Sequence, residues 1–317
     1  MPDSNTPPPF FDRPIRLGTR RSPLAMAQAH ETRARLCAAH GWDEEAIELV
    51  SVQASGDKIR DLPLADIGGK ALWTRELDHW LGDGTIDAAI HSLKDVETIR
   101  PPELHIAAVL EREDRADRLL GARSIAALPP GAVVGTSAPR RAAQLLNARP
   151  DCSVVTFRGN VATRMAKLAA GDVHATFLAA AGLNRLGEDA VGVRLDPEEW
   201  MPAPAQAAIG IECRTDDNIV RALLAAIDHG RSHAEVLAER ALLLGLGGSC
   251  HSPIAALTHW DGDEIVLRAA IYSSDGAVRI AGETRLLPGD DGPPRKLARE
   301  LLAQAPEHVA GSFSGPQ

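Results

Sequence analysis

Three groups of residues in this sequence are of types that do chemistry. The first is Cys250, in GLGGSCHSP (245–253), a thiol behind Gly247, Gly248 and Ser249 with His251 beside it. An unpaired cysteine is most often a small buried hydrophobe. In a glycine-rich turn it can instead be a nucleophile or an attachment point for something bulky. The second group is HSLKD (91–95), a polar burst closing the apolar run DAAIHSL (87–93). It puts Lys94 and Asp95 at the carboxyl end of a strand, where open α/β sheets bind ligands; the alternative is a solvated strand end. The third is a set of arginine turns: Arg20 with Arg21, Arg140 with Arg141, and Arg158 and Arg164 bracketing RGNVATR. Each lies at the start of a helical stretch, where free N–H groups and a partial positive charge attract anions. Together they suit several carboxylates or phosphates held in one cleft; singly, each reads equally as a surface arginine. RGNVATR has no Gly-Lys-Ser/Thr, so it is not a nucleotide P-loop.

Composition narrows the partners. The chain has 317 residues, 44% hydrophobic and 24% charged, with a net charge of -9. That is the profile of a globular protein and argues against a nucleic-acid surface. Aromatic residues are only 3%, so the core must be aliphatic. There are five lysines against 29 arginines, and guanidinium grips carboxylates bidentately. The four cysteines, Cys37, Cys152, Cys213 and Cys250, form no Cys-x-x-Cys pair. Neither a disulfide framework nor a metal site is expected, and reduced thiols point to the cytoplasm. MPDSNTPPPFFDRP has no apolar h-region and reads as a loose tail over 1–13; no run of about 18 apolar residues predicts a membrane span.

The elements that must position these groups alternate in α/β fashion. IRLGTR (15–20) predicts a strand and SPLAMAQAHETRARLCAAH (22–40) a helix, with Ser22 as N-cap and Pro23 in the first turn. IELVSVQA (47–54) is a second strand, followed by a polar loop over 55–70 long enough to be a lid. A helix near 73–81 leads to the strand 87–93. After ALPPGA (127–132) the pattern restarts: strand 133–137, helix 138–146, strand 152–157, helix within 158–172 and strand 175–181. LGTRRSP and VGTSAPRR echo each other as strand, Gly-Thr and proline-started helix, which suggests a common architecture. A crossover and strand over 200–214, helices over 217–229 and 234–246, a hairpin turning at 274–276 and a helix near 295–304 complete the chain.

Taken together, RLGTRRSPLA, GGK, DAAIHSLKDV, EREDRAD, VGTSAPRR, FRGNVATR, AAAGLNRLG, QAAIGIECR and GGSC, in that order from Ile15 to about Ala305, resemble the porphobilinogen deaminases, also called hydroxymethylbilane synthases. The resemblance implies a transferase that joins four porphobilinogen molecules head to tail, releases ammonia each time, and frees a linear hydroxymethylbilane. It implies a dipyrromethane cofactor held by a thioether to Cys250, so that Cys250 is an anchor and not a turnover nucleophile. Asp95 falls on the family's catalytic aspartate, set against pyrrole N–H groups to stabilise positive charge as the aminomethyl group leaves. Arg20, Ser22, Ser92, Lys94, Arg140, Arg141, Arg158, Arg164 and Arg185 would hold the acetate and propionate groups. Thr136 and Ser137 would add hydrogen bonds, and Gln206 falls in the crossover.

The same resemblance implies three domains: two α/β lobes like the halves of a periplasmic binding protein, over 14–110 with 208–226 and over 115–201, and a small α+β domain over 230–317 that carries Cys250. A monomer is expected, with neither nucleic acid nor membrane as partner. Several positions depart from the family's usual residues: Asp66, Ala71, Trp73, Ala138, Ala205 and Ala207. Ala138 replaces a frequent serine, removing a hydroxyl. Ala205 and Ala207 replace frequent glycines, which predicts negative φ at both. Two rivals remain, a non-catalytic module clamping an acidic solute between two lobes, and a family relative disabled by these substitutions.

Overall fold

The computed structural model describes residues 13–52, 74–248 and 252–313. The loop read as a lid, with Asp66, Ala71 and Trp73, lies outside them, as do Cys250, Ser249 and His251. The described residues form two compact units, one of residues up to 112 with 208–233, the other of 113–207 with 234 onward.

The first unit is built on β1 (Ile15–Arg20), α1 (Pro23–His40), β2 (Ile47–Val52), α2 (Arg75–Gly82), β3 (Ala88–Ser92) and β4 (Leu104–Val109). Its sheet runs β2-β1-β3-β10-β4, with β10 (Ile209–Arg214) arriving from far along the chain. β2, β1 and β3 are parallel, and β10 is antiparallel to both its neighbours. Helices cover the sheet, and the apolar residues of its strands pack against them. Leu17, Ala88, Ile90, Ile209 and Ile211 meet Ala29 and Leu36 of α1, and Val220 and Leu224 of α6 (Asn218–Ala225), in one core.

The second unit holds two sheets. One takes β5 (Asp117–Leu120), β6 (Val133–Gly135), β7 (Ser153–Val155), β8 (Ala175–Ala179) and β9 (Val193–Arg194) in the order β7-β6-β8-β5-β9. β7, β6 and β8 are parallel, and β5 is antiparallel to β8 and β9. Strand for strand this repeats the first sheet, so the echo between LGTRRSP and VGTSAPRR is an echo of topology. The helices are α3 (Pro139–Ala148), α4 (Val161–Ala169) and α5 (Ala180–Arg185). The other sheet is an antiparallel meander, β11 (Ile254–Asp261), β12 (Glu264–Tyr272) and β13 (Arg279–Leu286). It packs Ile265, Leu267 and Ile271 against α7 (Gly230–Leu246) and α8 (Gly292–Gln304). β4, β5, β9 and β11 were not foreseen from the sequence. No described helix is long and apolar enough to cross a membrane.

One expectation is overturned. Ala205 and Ala207 sit at φ of 57° and 72°, in the left-handed region that favours glycine. The reason lies in their bonds. The Ala205 N–H donates to the buried Glu239 Oε2 at 2.6 Å, the Ala207 carbonyl accepts from Arg185 at 3.2 Å, and Gln206 between them is buried. These fixed partners hold the backbone where the alanines alone would not go.

Candidate functional site

β1, β2 and β3 are parallel, so the residues after β1 and β3 lie along one edge of the first sheet. Arg20 ends β1, and Ser22 caps α1, its hydroxyl accepting from the Ala25 N–H at 3.3 Å. Gly18 is needed for packing, since a Cβ there would come within 2.3 Å of Ile86 Cδ1. Ser92 ends β3 and exchanges hydrogen bonds with Gln28 of α1, at 2.8 and 3.2 Å. The buried Gln28 was missed by the sequence reading. Lys94 and Asp95 follow in a single 3₁₀ turn (Leu93–Asp95), both half-buried, with Leu93 tucked beneath. Arg20, Ser22, Ser92, Lys94 and Asp95 are therefore gathered at one end of one sheet.

The same unit holds a knot of charge, centred on the buried Glu212 of β10, that the sequence did not reveal. Arg100 donates from Nε to Glu212 Oε1 and from Nη2 to Glu212 Oε2, both at 2.8 Å. It also reaches Glu97 at 2.8 Å and Asp78 at 2.5 Å. Glu212 Oε2 lies 3.1 Å from His91 Nε2, and the two side chains are 0% and 4% exposed. Burial works to raise the Glu212 carboxyl, but His91 and Arg100 outweigh it and hold it at about 2. For Arg100 burial works to lower the pKa, and Glu212 and Asp78 overcome it and raise it.

In the second unit β7, β6 and β8 are parallel, so their following residues share an edge too. Thr136 Oγ1 accepts from the Ala138 N–H at 3.2 Å, and Ser137 Oγ from the Phe157 N–H at 3.1 Å. Ala138 is the N-cap of α3 and makes no side-chain cap bond. The hydroxyl missing there is thus one a helix cap would use. Arg140 and Arg141 are buried, and both bind one internal carboxylate. Asp117 accepts from Arg140 at 2.8 Å, from Arg141 at 2.6 and 3.1 Å, from Trp200 Nε1 at 3.0 Å and from Gln206 Nε2 at 2.9 Å. Burial alone would raise the Asp117 carboxyl; the two guanidiniums take it far below the usual carboxylate range. Arg158 and Arg164 flank the start of α4. There Asn160 caps the helix through Thr163, and Gly159, at φ 125°, has Thr163 where a Cβ would go. That glycine serves the cap. Arg164 Nε donates to the Gly159 carbonyl at 3.0 Å.

The two described residues before Cys250 close a helix. Gly247, at φ 64°, and Gly248 donate back to Leu244 at 3.1 Å and Leu243 at 3.0 Å. A Cβ on Gly248 would fall 2.4 Å from Ile254 Cδ1. Among the described residues no group of three His, Cys, Asp or Glu could hold a metal.

Two sheets of one topology, each with charged groups gathered at strand ends and helix starts, define a multidomain α/β protein of the kind that handles small ligands. Comparison with known proteins is consistent with this and more specific. The family model "Porphobilinogen deaminase, dipyromethane cofactor binding domain" matches residues 15–222, and "Porphobilinogen deaminase, C-terminal domain" matches 233–303. A porphobilinogen deaminase of Sphingopyxis alaskensis is 54% identical over 309 residues, covering 96% of this chain and 98% of that protein. One from Paracoccus denitrificans is 49% identical over 303 residues, covering 94% and 96%. Among solved structures, the VFT2 domain of Bordetella pertussis BvgS aligns at a TM-score of 0.41 and 17% identity, over 72% of this chain and 91% of that one. The chain belongs to the porphobilinogen deaminase family.

Proposed function

We propose that Asp95 is the catalytic carboxylate and Cys250 the cofactor anchor of the family's reaction in this chain. The activity is that of a transferase, porphobilinogen deaminase, acting with a dipyrromethane cofactor. The observation that carries the assignment is the turn at 93–95, which sets Asp95 half-buried at the carboxyl end of β3 beside Lys94 and Ser92. A carboxylate so placed can hold a pyrrole N–H and offset the positive charge that grows as a substrate loses ammonia. It can also take and return the proton that moves when the next ring adds.

The second unit fits a group that bears carboxylates. Asp117 is the one carboxylate paired with both Arg140 and Arg141 among the described residues, their other bonds go to neutral oxygens of Met201, Gln206 and Phe177, and the buried Arg140 Nε has no hydrogen-bond partner there. When bound, the cofactor supplies the pyrrole terminus to which substrates are joined. Arg140 and Arg141 would hold acidic groups, together with Arg158, Arg164, Arg185, Thr136, Ser137 and Gln206. On the first sheet Arg20, Ser22, Ser92 and Lys94 would do the same. The reading includes the three domains expected above, a monomer, and a cytoplasmic setting.

The test is the intact mass of the denatured protein, with peptide mapping around Cys250. An excess of two linked pyrrole units on Cys250, absent from Cys250→Ser, is expected. An unmodified chain after exposure to porphobilinogen would turn the reading toward a disabled relative or a binding module.

A further inference from the structure

The turn that carries Asp95 is pinned at both ends to the same buried charge. His91, the residue before Ser92, brings its buried Nε2 to 3.1 Å from Glu212 Oε2, an approach without hydrogen-bond alignment. Glu97, the residue after Val96, accepts from Arg100 at 2.8 Å and from Thr74 at 3.0 and 3.2 Å. Glu212 and Arg100 are themselves joined by two parallel bonds of 2.8 Å, a planar fork on a planar carboxylate. Between the pins the Leu93 N–H donates to the Ala208 carbonyl at 3.1 Å. The Leu93 side chain fills the space over Gly210, where a Cβ would lie 2.4 Å from Leu93 Cδ2. Residues 92–96 thus form a short bow held near its start by Leu93, bonded to Ala208 and packed over Gly210, and beyond its end by the Glu97 bond to Arg100.

We propose that Arg100, Glu97, Glu212 and His91 are positioning residues for Asp95, a brace that sets where its carboxylate stands without itself touching substrate. This rests on Asp95 being the catalytic carboxylate. Geometry of this kind has kinetic weight, since a displacement of about 1 Å at a reacting group can cost on the order of 100-fold in rate. A buried ion pair adds little net stability over an apolar replacement, whereas its fixed directions hold a geometry. Arg100 cannot be replaced by lysine without loss, because a point charge cannot hold two oxygens of Glu212 and also reach Glu97 and Asp78.

The experiment is a double-mutant cycle on the cofactor-loaded enzyme, with loading confirmed by intact mass. Arg100→Lys is expected to lower kcat about tenfold while KM stays within about twofold. In an Asp95→Asn background the same change is expected to cost nothing further, because a brace with no carboxylate to place has no effect on rate. Glu97→Gln, at the half-buried rim of the knot, serves the same cycle should Arg100→Lys fold poorly, with a smaller fall in kcat. An equal loss in both backgrounds, or no loss in either, overturns the brace. Near-normal turnover by Asp95→Asn overturns the assignment of Asp95 itself, and the brace with it.

Discussion

In the first unit one arginine, Arg100, is shared by three carboxylates, Asp78, Glu97 and Glu212. In the second, one carboxylate, Asp117, is shared by two arginines, Arg140 and Arg141. Each knot centres on a fully buried carboxylate, Glu212 within β10 and Asp117 at the start of β5; the two sheets have the same topology, and the surplus charge has opposite sign. The difference matches the work proposed for each side. Positive charge growing on a substrate is favoured near a surplus of carboxylate, and Asp95 stands on that unit. The acetate and propionate groups of porphobilinogen are favoured near a surplus of guanidinium. Likeness of fold therefore says nothing about likeness of role, which lives in the charged groups fitted to each sheet.

The largest effect should come from breaking the chemistry on the carboxylate-rich side. Asp95→Asn should lower kcat by about 10³-fold or more, since it removes both a charge at the developing cation and a proton acceptor. Its urea midpoint should stay near that of the parent protein, because Asp95 is half-buried in a surface turn and not in either knot. Steady-state rates with porphobilinogen, beside an unfolding curve, check both halves of the statement.

On the arginine-rich side the matching substitution is Asp117→Asn, and its expected effect is on stability. Five donors converge on a carboxylate that is fully buried. Removing its charge would leave two buried guanidiniums without a counter-ion, which typically costs about 3–5 kcal/mol. Urea unfolding of the variant would measure it. A loss under 1 kcal/mol would mean that the guanidiniums find other partners, and the contrast between the two knots would then be one of geometry alone.

Acid should separate the knots further. The Glu212 carboxyl is held at about 2, below the usual glutamate value of 4.5. A carboxyl depressed on folding binds fewer protons in the native than in the unfolded state, so its contribution is complete above about 4.5 and is lost as the pH falls toward about 2. That contribution is on the order of 3 kcal/mol. Stability followed against pH should therefore fall through this window, and Glu212→Gln should flatten the slope there. Asp117 is depressed further, so its share persists to lower pH, and Asp117→Asn should leave the Glu212 slope in place.

How much of this could be read from the sequence differs between the two knots in the same instructive way. The arginine pair was visible because it stands at a proline-started helix after Gly-Thr, a local signal. Asp117 ends the matched stretch EREDRAD, but its role was not visible, because the side chains bonded to it lie 23 to 89 positions away in sequence. The brace was hidden for the same reason: His91 and Glu212 come together only through the antiparallel pairing of β3 with β10. β1, α1 and β3 were legible from caps and apolar runs. β4 and β11 were passed over although turn residues bound them, Pro101-Pro102 before LHIAAV and Gly262-Asp263 between Asp261 and Glu264 after IAALTHWD. The glycines before Cys250 suggest room for a bulky group, and in the structure Gly247 and Gly248 also end a helix.

The smallest effect expected is the one most sensitive to the arginine-rich knot. At φ of 72° Ala207 is held in a left-handed conformation that costs an L-residue about 1–2 kcal/mol. Ala207→Gly would remove that strain, but it would also loosen the unfolded chain by about 0.4–1 kcal/mol. The net should be a gain near 0.5 kcal/mol, read as a small rise in the urea midpoint. Gln206, next to Ala207, is bonded to Asp117 and accepts from Arg140 at 3.3 Å. Those bonds share with the Glu239 and Arg185 contacts in holding this backbone, so the strain should weaken when they do. In an Asp117→Asn background the backbone at 207 can relax, and the gain from glycine should shrink or vanish. A gain of equal size in both backgrounds would show that the left-handed backbone is imposed from elsewhere, with the Glu239 bond to the Ala205 N–H the first place to look.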